Sequence, residues 1–390
     1  MSCYISSTNN RFYAAVEQSY GQVPPVAAEN RIPAVKLAIR QEPDVAERKD
    51  KTGSRTYFGL PSNTRRQTSY ELKTYLTNWP GAGQVPAYGP LFQAALGGAP
   101  AFYNGGAAGA GSAGKAVRFS SAHSLAVGQA VTFGGEIRFV AAIVDASSVI
   151  VNAPFSLLPG SGSPIGATVT YFPTTQLRSA SVWDYWDPPE AVQRILCGVG
   201  VDEMRIQING DFQEFTFRGA AMDVIDDASF TVGQGGLSSY PPEPTEDVFD
   251  YTIIPGHLGQ AWLGSAPDQF FTITGAEVVI DNNLDLRARE FGAQGPRCLA
   301  AGMRSVTVNF DLFEVDDEAT RALYQAARQQ SPIEVMFQLG QEAGQLFGVY
   351  MKSVVPLAPE FDDSETRLQW RFTNCRAQGI EDDEVVVAFG

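Results

Sequence analysis

Two stretches of strict alternation stand far apart in the chain. Thr68, Tyr70, Leu72 and Thr74 fall on one face of an extended segment, and Val306, Val308, Phe310 and Leu312 on one face of another. A period of two belongs to a strand with one side turned to a core. Each stretch follows an apolar run (residues 35–39 and 277–280) and a long charged loop containing glycine (47–66 and 287–304). Each precedes a helical pattern, LFQAAL at 91–96 behind Gly89-Pro90 and LYQAAR at 323–328. Aromatic strands follow in both, EFTF at 214–217 and QWRF at 369–372. Strand, loop, strand, helix and aromatic strand in the same order twice predict an internal duplication.

The second helix is the better defined. Asp316 or Asp317 can cap it, Glu318 sits in its first turn, and Ala319, Leu323, Ala326 and Ala327 form one apolar stripe. Pro332 ends it, because proline disfavours helical backbone at Ser331. Within the first copy, between its helix and its later strands, lies a Gly/Ala tract, residues 99–114, whose composition predicts a linker. Residues 115–173 then read as five or six short strands separated by turn residues, a small β-barrel or sandwich. A second Pro/Gly-rich stretch, 233–245, reads as another linker. The expected fold is mainly β: two β-sandwiches, each with a flanking helix, plus a small inserted β-domain. The expected units are 1–100 with 177–240, a linker at 101–114, an insertion at 115–173, and 241–390.

Composition agrees with this reading. The chain has 390 residues, 44% apolar and 18% charged, with 38 glycines, 24 prolines, 24 phenylalanines and 14 tyrosines, which favours short strands and tight turns. A formal charge of −15 argues against gripping nucleic acid through a basic face, although an acidic wall lets a polyanion pass without sticking. The acidity is regional, with 3 basic against 14 acidic residues in 181–260 but 11 against 7 in 1–80. No basic start followed by an apolar run opens the sequence, and no apolar run of spanning length occurs, so neither export nor membrane insertion is expected.

Candidate chemistry is sparse. GAGSAGK at 109–115 matches a phosphate-loop spacing, but Ala116 replaces the Ser or Thr that would reach magnesium, and no strand-to-helix context surrounds it. The acidic clusters read as a helix cap and solvated faces rather than as a paired glycosidase acid and base. Trp183, Tyr185 and Trp186 could stack on a sugar, but core or interface packing is the simpler reading. His123 and His257 read as surface or turn residues; Cys3, Cys197, Cys298 and Cys375, lacking any paired spacing, read as buried reduced thiols. No catalytic, metal or cofactor residue is expected.

The two charged loops carry more. Arg48, Lys49, Lys51, Arg55, Arg65 and Arg66 crowd the first; Arg287, Arg289, Arg297 and Arg304 mark the second. Basic loops on an acidic protein suit the acidic regions of an identical neighbour, a head-to-tail contact that stacks without closing on itself.

Taken with the VEQSYG segment at 16–21, QTSYEL at 67–72 and GMRSVTVNF at 302–310, this pattern resembles the tail tube (major tail) proteins of long-tailed, siphovirus-like bacteriophages. The resemblance covers the chain outside 115–173. It implies β-sandwiches that close a ring around a channel for double-stranded DNA, and long loops that reach the adjacent ring. Two such sandwiches per chain imply a trimeric, pseudo-sixfold ring, with a hexamer as the alternative. It also implies a tail assembled in the host cytoplasm, contact with tape measure, tail terminator and distal tail proteins, and an insertion projecting outward. A receptor- or carbohydrate-binding tail protein is the competing expectation.

Overall fold

A computed structural model describes residues 4–45, 51–55, 59, 64–79, 81–245, 251–285 and 290–390. The two alternating stretches become strands Arg66–Tyr75 and Ser305–Phe313, and their predicted faces are buried. They belong to one antiparallel sheet. Its order is Ala34–Pro43, Arg66–Tyr75, Glu214–Ala221, the later half of Arg194–Ile208, Ile273–Asp281, Ser305–Phe313 and Gln369–Ala377, with the short Glu360–Asp362 strand beyond.

A second layer covers the apolar face. One part runs Arg31–Ile32, Asn10–Val16, Ala180–Trp186, the first half of Arg194–Ile208 and Asp223–Asp226. The other runs Gly259–Gly264, Ile333–Leu339, Phe347–Val355, Val386–Phe389, Thr168–Tyr171 and Ala101–Tyr103. The Arg194–Ile208 strand serves both layers by bending at Gly198, whose φ of +63° and 2.6 Å clearance between a built Cβ and Met222 admit only glycine. A bulge between Val201 and Glu203 lies just beyond.

The same pairings occur twice. Asn10–Val16 meets Ala180–Trp186, which meets Arg194–Ile208, then Glu214–Ala221, Arg66–Tyr75 and Ala34–Pro43. Gly259–Gly264 meets Ile333–Leu339, which meets Phe347–Val355, then Gln369–Ala377, Ser305–Phe313 and Ile273–Asp281. In the second set the long strand is broken at Pro356 and Pro359, and Glu360–Asp362 resumes its pairing with Gln369–Arg371. Proline cannot donate to a ladder, which accounts for the gap.

Helix α1 (Gly89–Leu96) carries Pro90 in its first turn and stops at Gly97, φ +86°. Helix α2 (Glu318–Gln329) is capped by Asp317, whose Oδ1 accepts from the Thr320 amide at 2.7 Å; Gln330 closes it in the left-handed region. Of the predicted stripe, Leu323 and Ala327 are buried and Ala319 and Ala326 half-buried against the main core. One core joins the two sets: Phe92 of α1 touches Phe215 and Phe217 of the first and Phe347 and Phe389 of the second, at centroid distances of 5.0–5.8 Å.

The expected linker at 101–114 is ordered by pairing instead. Ala101–Tyr103 and Thr168–Tyr171 pair with each other and extend the Val386–Phe389 edge, while Gly106–Ala107 pairs with Pro164–Ile165. Glycine here supplies tight turns: Gly105 and Gly111 have φ of +80° and +93°, and Ala113 bridges to Ala116 across a hairpin. The inserted body holds its own small core, including Tyr103, Phe119, Val131, Val149 and Phe155. Its four-stranded sheet runs Ala116–Arg118, Ser148–Val151, Glu136–Asp145 and Ala130–Phe133. The expected second linker is a strap: Leu237 and Tyr240 pack on Tyr13 and Tyr185, and Glu243 takes two 2.5 Å bonds from Arg11. Proline and glycine weakened the case for secondary structure in these stretches, but buried aromatics still dock them.

Candidate functional site

The chain carries no cluster of acid, His or Cys side chains suited to a metal among the described residues. His123 is buried rather than at the surface: its Nδ1 accepts from the Leu125 amide and its Nε2 donates to the Asp145 carbonyl, both at 3.0 Å. Cys298 is exposed, against expectation, because it lies in the irregular 290–304 loop; Cys197 and Cys375 are buried, and burial raises the Cys197 thiol to about 12. Cys3 lies outside the described residues. Trp183 and Tyr185 are core residues, and Asp184 beneath them is held by Asn10 and Arg194. The 109–115 glycines form a hairpin turn within the insertion.

What remains is surface built for contact. The long sheet turns its other face outward, and that face is polar across its width. Arg205 binds Glu203 at 2.7 Å and Glu277 at 3.2 Å; Arg218 binds Glu71 at 2.8 Å and Glu203 at 3.2 Å. Hydrogen bonding from Arg205, together with its charge and that of Arg218, outweighs partial burial and holds Glu203 below the usual carboxylate range. Arg205 and Arg218 are thus already paired with carboxylates. Among the described residues both outer edges, Ala34–Pro43 and Glu360–Asp362, pair on one side only.

The basic loops divide. Arg48, Lys49, Arg287 and Arg289 lie outside the described residues. Lys51, Arg55 and Arg297 are exposed. Arg65 and Arg66 receive the second loop: Arg65 Nη2 reaches the Glu290 carbonyl at 3.4 Å, and the Arg66 amide donates to Gln294 at 2.8 Å. Arg304 is enclosed instead, bonded to Glu384 at 2.8 Å, Asp382 at 3.1 Å and the Thr174 carbonyl at 2.6 Å. At the root of the second loop, Asn282 Nδ2 donates to the Ala95 and Val201 carbonyls at 2.8 and 2.9 Å. The VEQSYG segment also finds its reason: buried Glu17 accepts from the Gly21 and Gly198 amides and the Ser179 and Ser181 hydroxyls, all within 2.7 Å.

Compared with known families, residues 7–382 match the model described as phage tail tube protein. The chain belongs to that family. A search of the curated proteins finds no match. Membership makes this tail tube protein a structural part of a virion tail, in keeping with its mainly β architecture. No helix among its described residues is long and apolar enough to cross a membrane.

Sequence reasoning missed how the insertion is fastened. It leaves the first set of strands in the chain but packs on the second. Ala130, Ile137, Phe139 and Ala153 share a core with Trp262, Met336, Leu346 and Tyr350. Arg138 lies fully buried at this seam, 3.2 Å from Glu136, with Nη2 donating to Gln260 at 2.9 Å and Nη1 to Gln338 at 3.2 Å. Its guanidinium also lies 4.9 Å from the Trp262 ring. Burial pushes Glu136 upward, yet bonds from Gln260 and Ser156 and the charge of Arg138 bring it below its ordinary value. Nothing in the sequence around EIRFV marks this pairing, since both partners are uncharged glutamines far along the chain.

Proposed function

We propose that this tail tube protein closes into rings that stack head to tail, forming a conduit through which double-stranded DNA leaves the capsid. The twofold repetition of one pairing order along a single sheet with two unpaired edges carries this reading. Each set of strands is one tube unit, so three chains supply the six units of a pseudo-sixfold ring; a ring of six chains is the alternative. The polar sheet face lines the channel. Arg205 and Arg218, neutralised in place, grip no phosphates, which favours a polyanion that slides rather than binds.

Stacking between rings uses the first loop, where Lys51 and Arg55 stay exposed, with Arg48 and Lys49 beside them in sequence. Assembly takes place in the host cytoplasm on a tape measure protein, between distal tail and terminator proteins. Negative-stain electron microscopy of the concentrated protein tests the proposal. Hollow tubes with threefold or sixfold end views support it, and monodisperse monomers at every concentration refute it. Replacing Arg48, Lys49, Lys51 and Arg55 by serine is expected to keep rings and abolish tubes.

A further inference from the structure

The chain contains one finished junction between tube units, and this junction specifies the unfinished one. Inside the chain, Arg205, Ile206 and Gln207 stand opposite Val279, Val278 and Glu277. Their counterparts follow from the repeated pairings. Arg205–Gln207 pairs with Glu214–Thr216, which pairs with Lys73–Tyr75; Glu360–Asp362 pairs with Gln369–Arg371, which pairs with Asp311–Phe313. Glu360, Phe361 and Asp362 therefore occupy the places of Arg205, Ile206 and Gln207. On the other side, Val278 stands opposite Val308 as Ile39 stands opposite Tyr70, which sets Arg40, Ile39 and Ala38 in the places of Val279, Val278 and Glu277.

Burial separates the finished from the unfinished edge. Ala276 and Val278 are buried at the internal junction, whereas their counterparts Leu37 and Ile39 are only half-buried. Ile206 is 0% exposed, and its counterpart Phe361 is 57% exposed while stacked on Tyr324 and Trp370 at 6.0 and 5.6 Å. Charge agrees as well, because the exposed Arg40 comes opposite the exposed Glu360.

We infer that the Glu360–Asp362 strand of one chain pairs antiparallel with the Ala34–Pro43 strand of the next, Glu360 facing Arg40, Phe361 facing Ile39 and Asp362 facing Ala38. The partner is a second copy of this chain, met head to tail. Phe361 is then covered by Ile39, and the long sheet runs on without an edge. This rests on the ring reading and adds its register.

Cysteine pairing tests it on assembled protein in a C3S/C298S background. Mixing chains carrying R40C with chains carrying E360C, then oxidising or bridging with a short bis-maleimide, is expected to join one of each covalently. Mixing R40C with F361C, whose side chains point to opposite faces, is expected to join none. Tubes that form without the R40C–E360C link, or that link through F361C, overturn the register and leave the ring reading intact. Absence of any assembly from the unaltered chain overturns both. Where a cysteine chain does not assemble, charge reversal decides: R40E and E360R each weaken the junction about fivefold, and the double variant regains assembly. A double variant that regains nothing overturns the register.

Discussion

Helices α1 and α2 occupy the same place in the two sets of strands, yet one is sealed and the other half open. Leu91, Phe92 and Ala94–Leu96 of α1 are wholly buried, because Tyr171, Phe347 and Phe389 cover the side that Phe215 and Phe217 do not. Among described residues, α2 has only its own set beneath it, and Arg321, Gln325 and Arg328 stay in solvent. The two six-residue motifs record this difference. Leu-Phe-Gln-Ala-Ala-Leu and Leu-Tyr-Gln-Ala-Ala-Arg differ where Phe92 and Leu96 are fully buried while Tyr324 is half-buried and Arg328 exposed. A difference between copies inside one chain thus marks the side on which a neighbouring chain is to be expected.

The sharpest way to break this comparison is to truncate both aromatics in the unassembled subunit. Phe92→Ala is expected to cost about 3–5 kcal/mol in denaturant unfolding, and Tyr324→Ala about 1 kcal/mol. Equal losses would mean that α2 is as enclosed as α1. The next effect belongs to the insertion. Arg138→Ala leaves Glu136 without its cation inside the seam and is expected to cost about 3 kcal/mol, read as lost hydrogen-exchange protection at Ile137–Phe139 before the main sheet opens.

Acid sharpens the same contrast more gently. Glu136 is held below its ordinary value in the folded chain, so its stabilising share is complete above that value and is lost as pH falls through the lower folded one. Amides of the seam are expected to open more readily at about pH 3 than at pH 6, once intrinsic exchange rates are divided out, while α1 stays protected. The smallest change is Asp317→Ala, which removes the α2 cap at a cost of about 1 kcal/mol and leaves α1 untouched, as thermal melts monitored by circular dichroism can verify.

Local periodicity revealed much of this fold. Alternation at 68–74 and 306–312, the aspartate cap and the paired motifs all lie within short windows, where side-chain spacing dictates which face is apolar. Long-range seating was not legible. The Gly/Ala tract was read as linker because its pairing partner is Thr168–Tyr171, some sixty residues later, and the docking of Arg138 depends on Gln260 and Gln338. The candidate basic loops were visible as charge, but which cation stays free is decided by neighbours such as Asp382 and Glu384 around Arg304. Edge strands escaped notice altogether, because an unpaired edge is a property of the finished sheet.

The Val386–Phe389 strand sets a timetable. It pairs with Phe347–Tyr350 on one side and Val169–Tyr171 on the other, and Phe389 closes over Phe92. A ribosome makes these four residues after the strands they pair with, so neither the wall over α1 nor the seat beneath the insertion is complete until synthesis reaches them. Contacts this distant in sequence form slowly, and until then the nascent chain exposes the aromatic cluster around Phe92. Chaperone demand for this protein is therefore expected to persist until Val386–Phe389 has been made, and a stop codon placed just before Val386 should send the product to aggregates rather than to a shortened tube subunit.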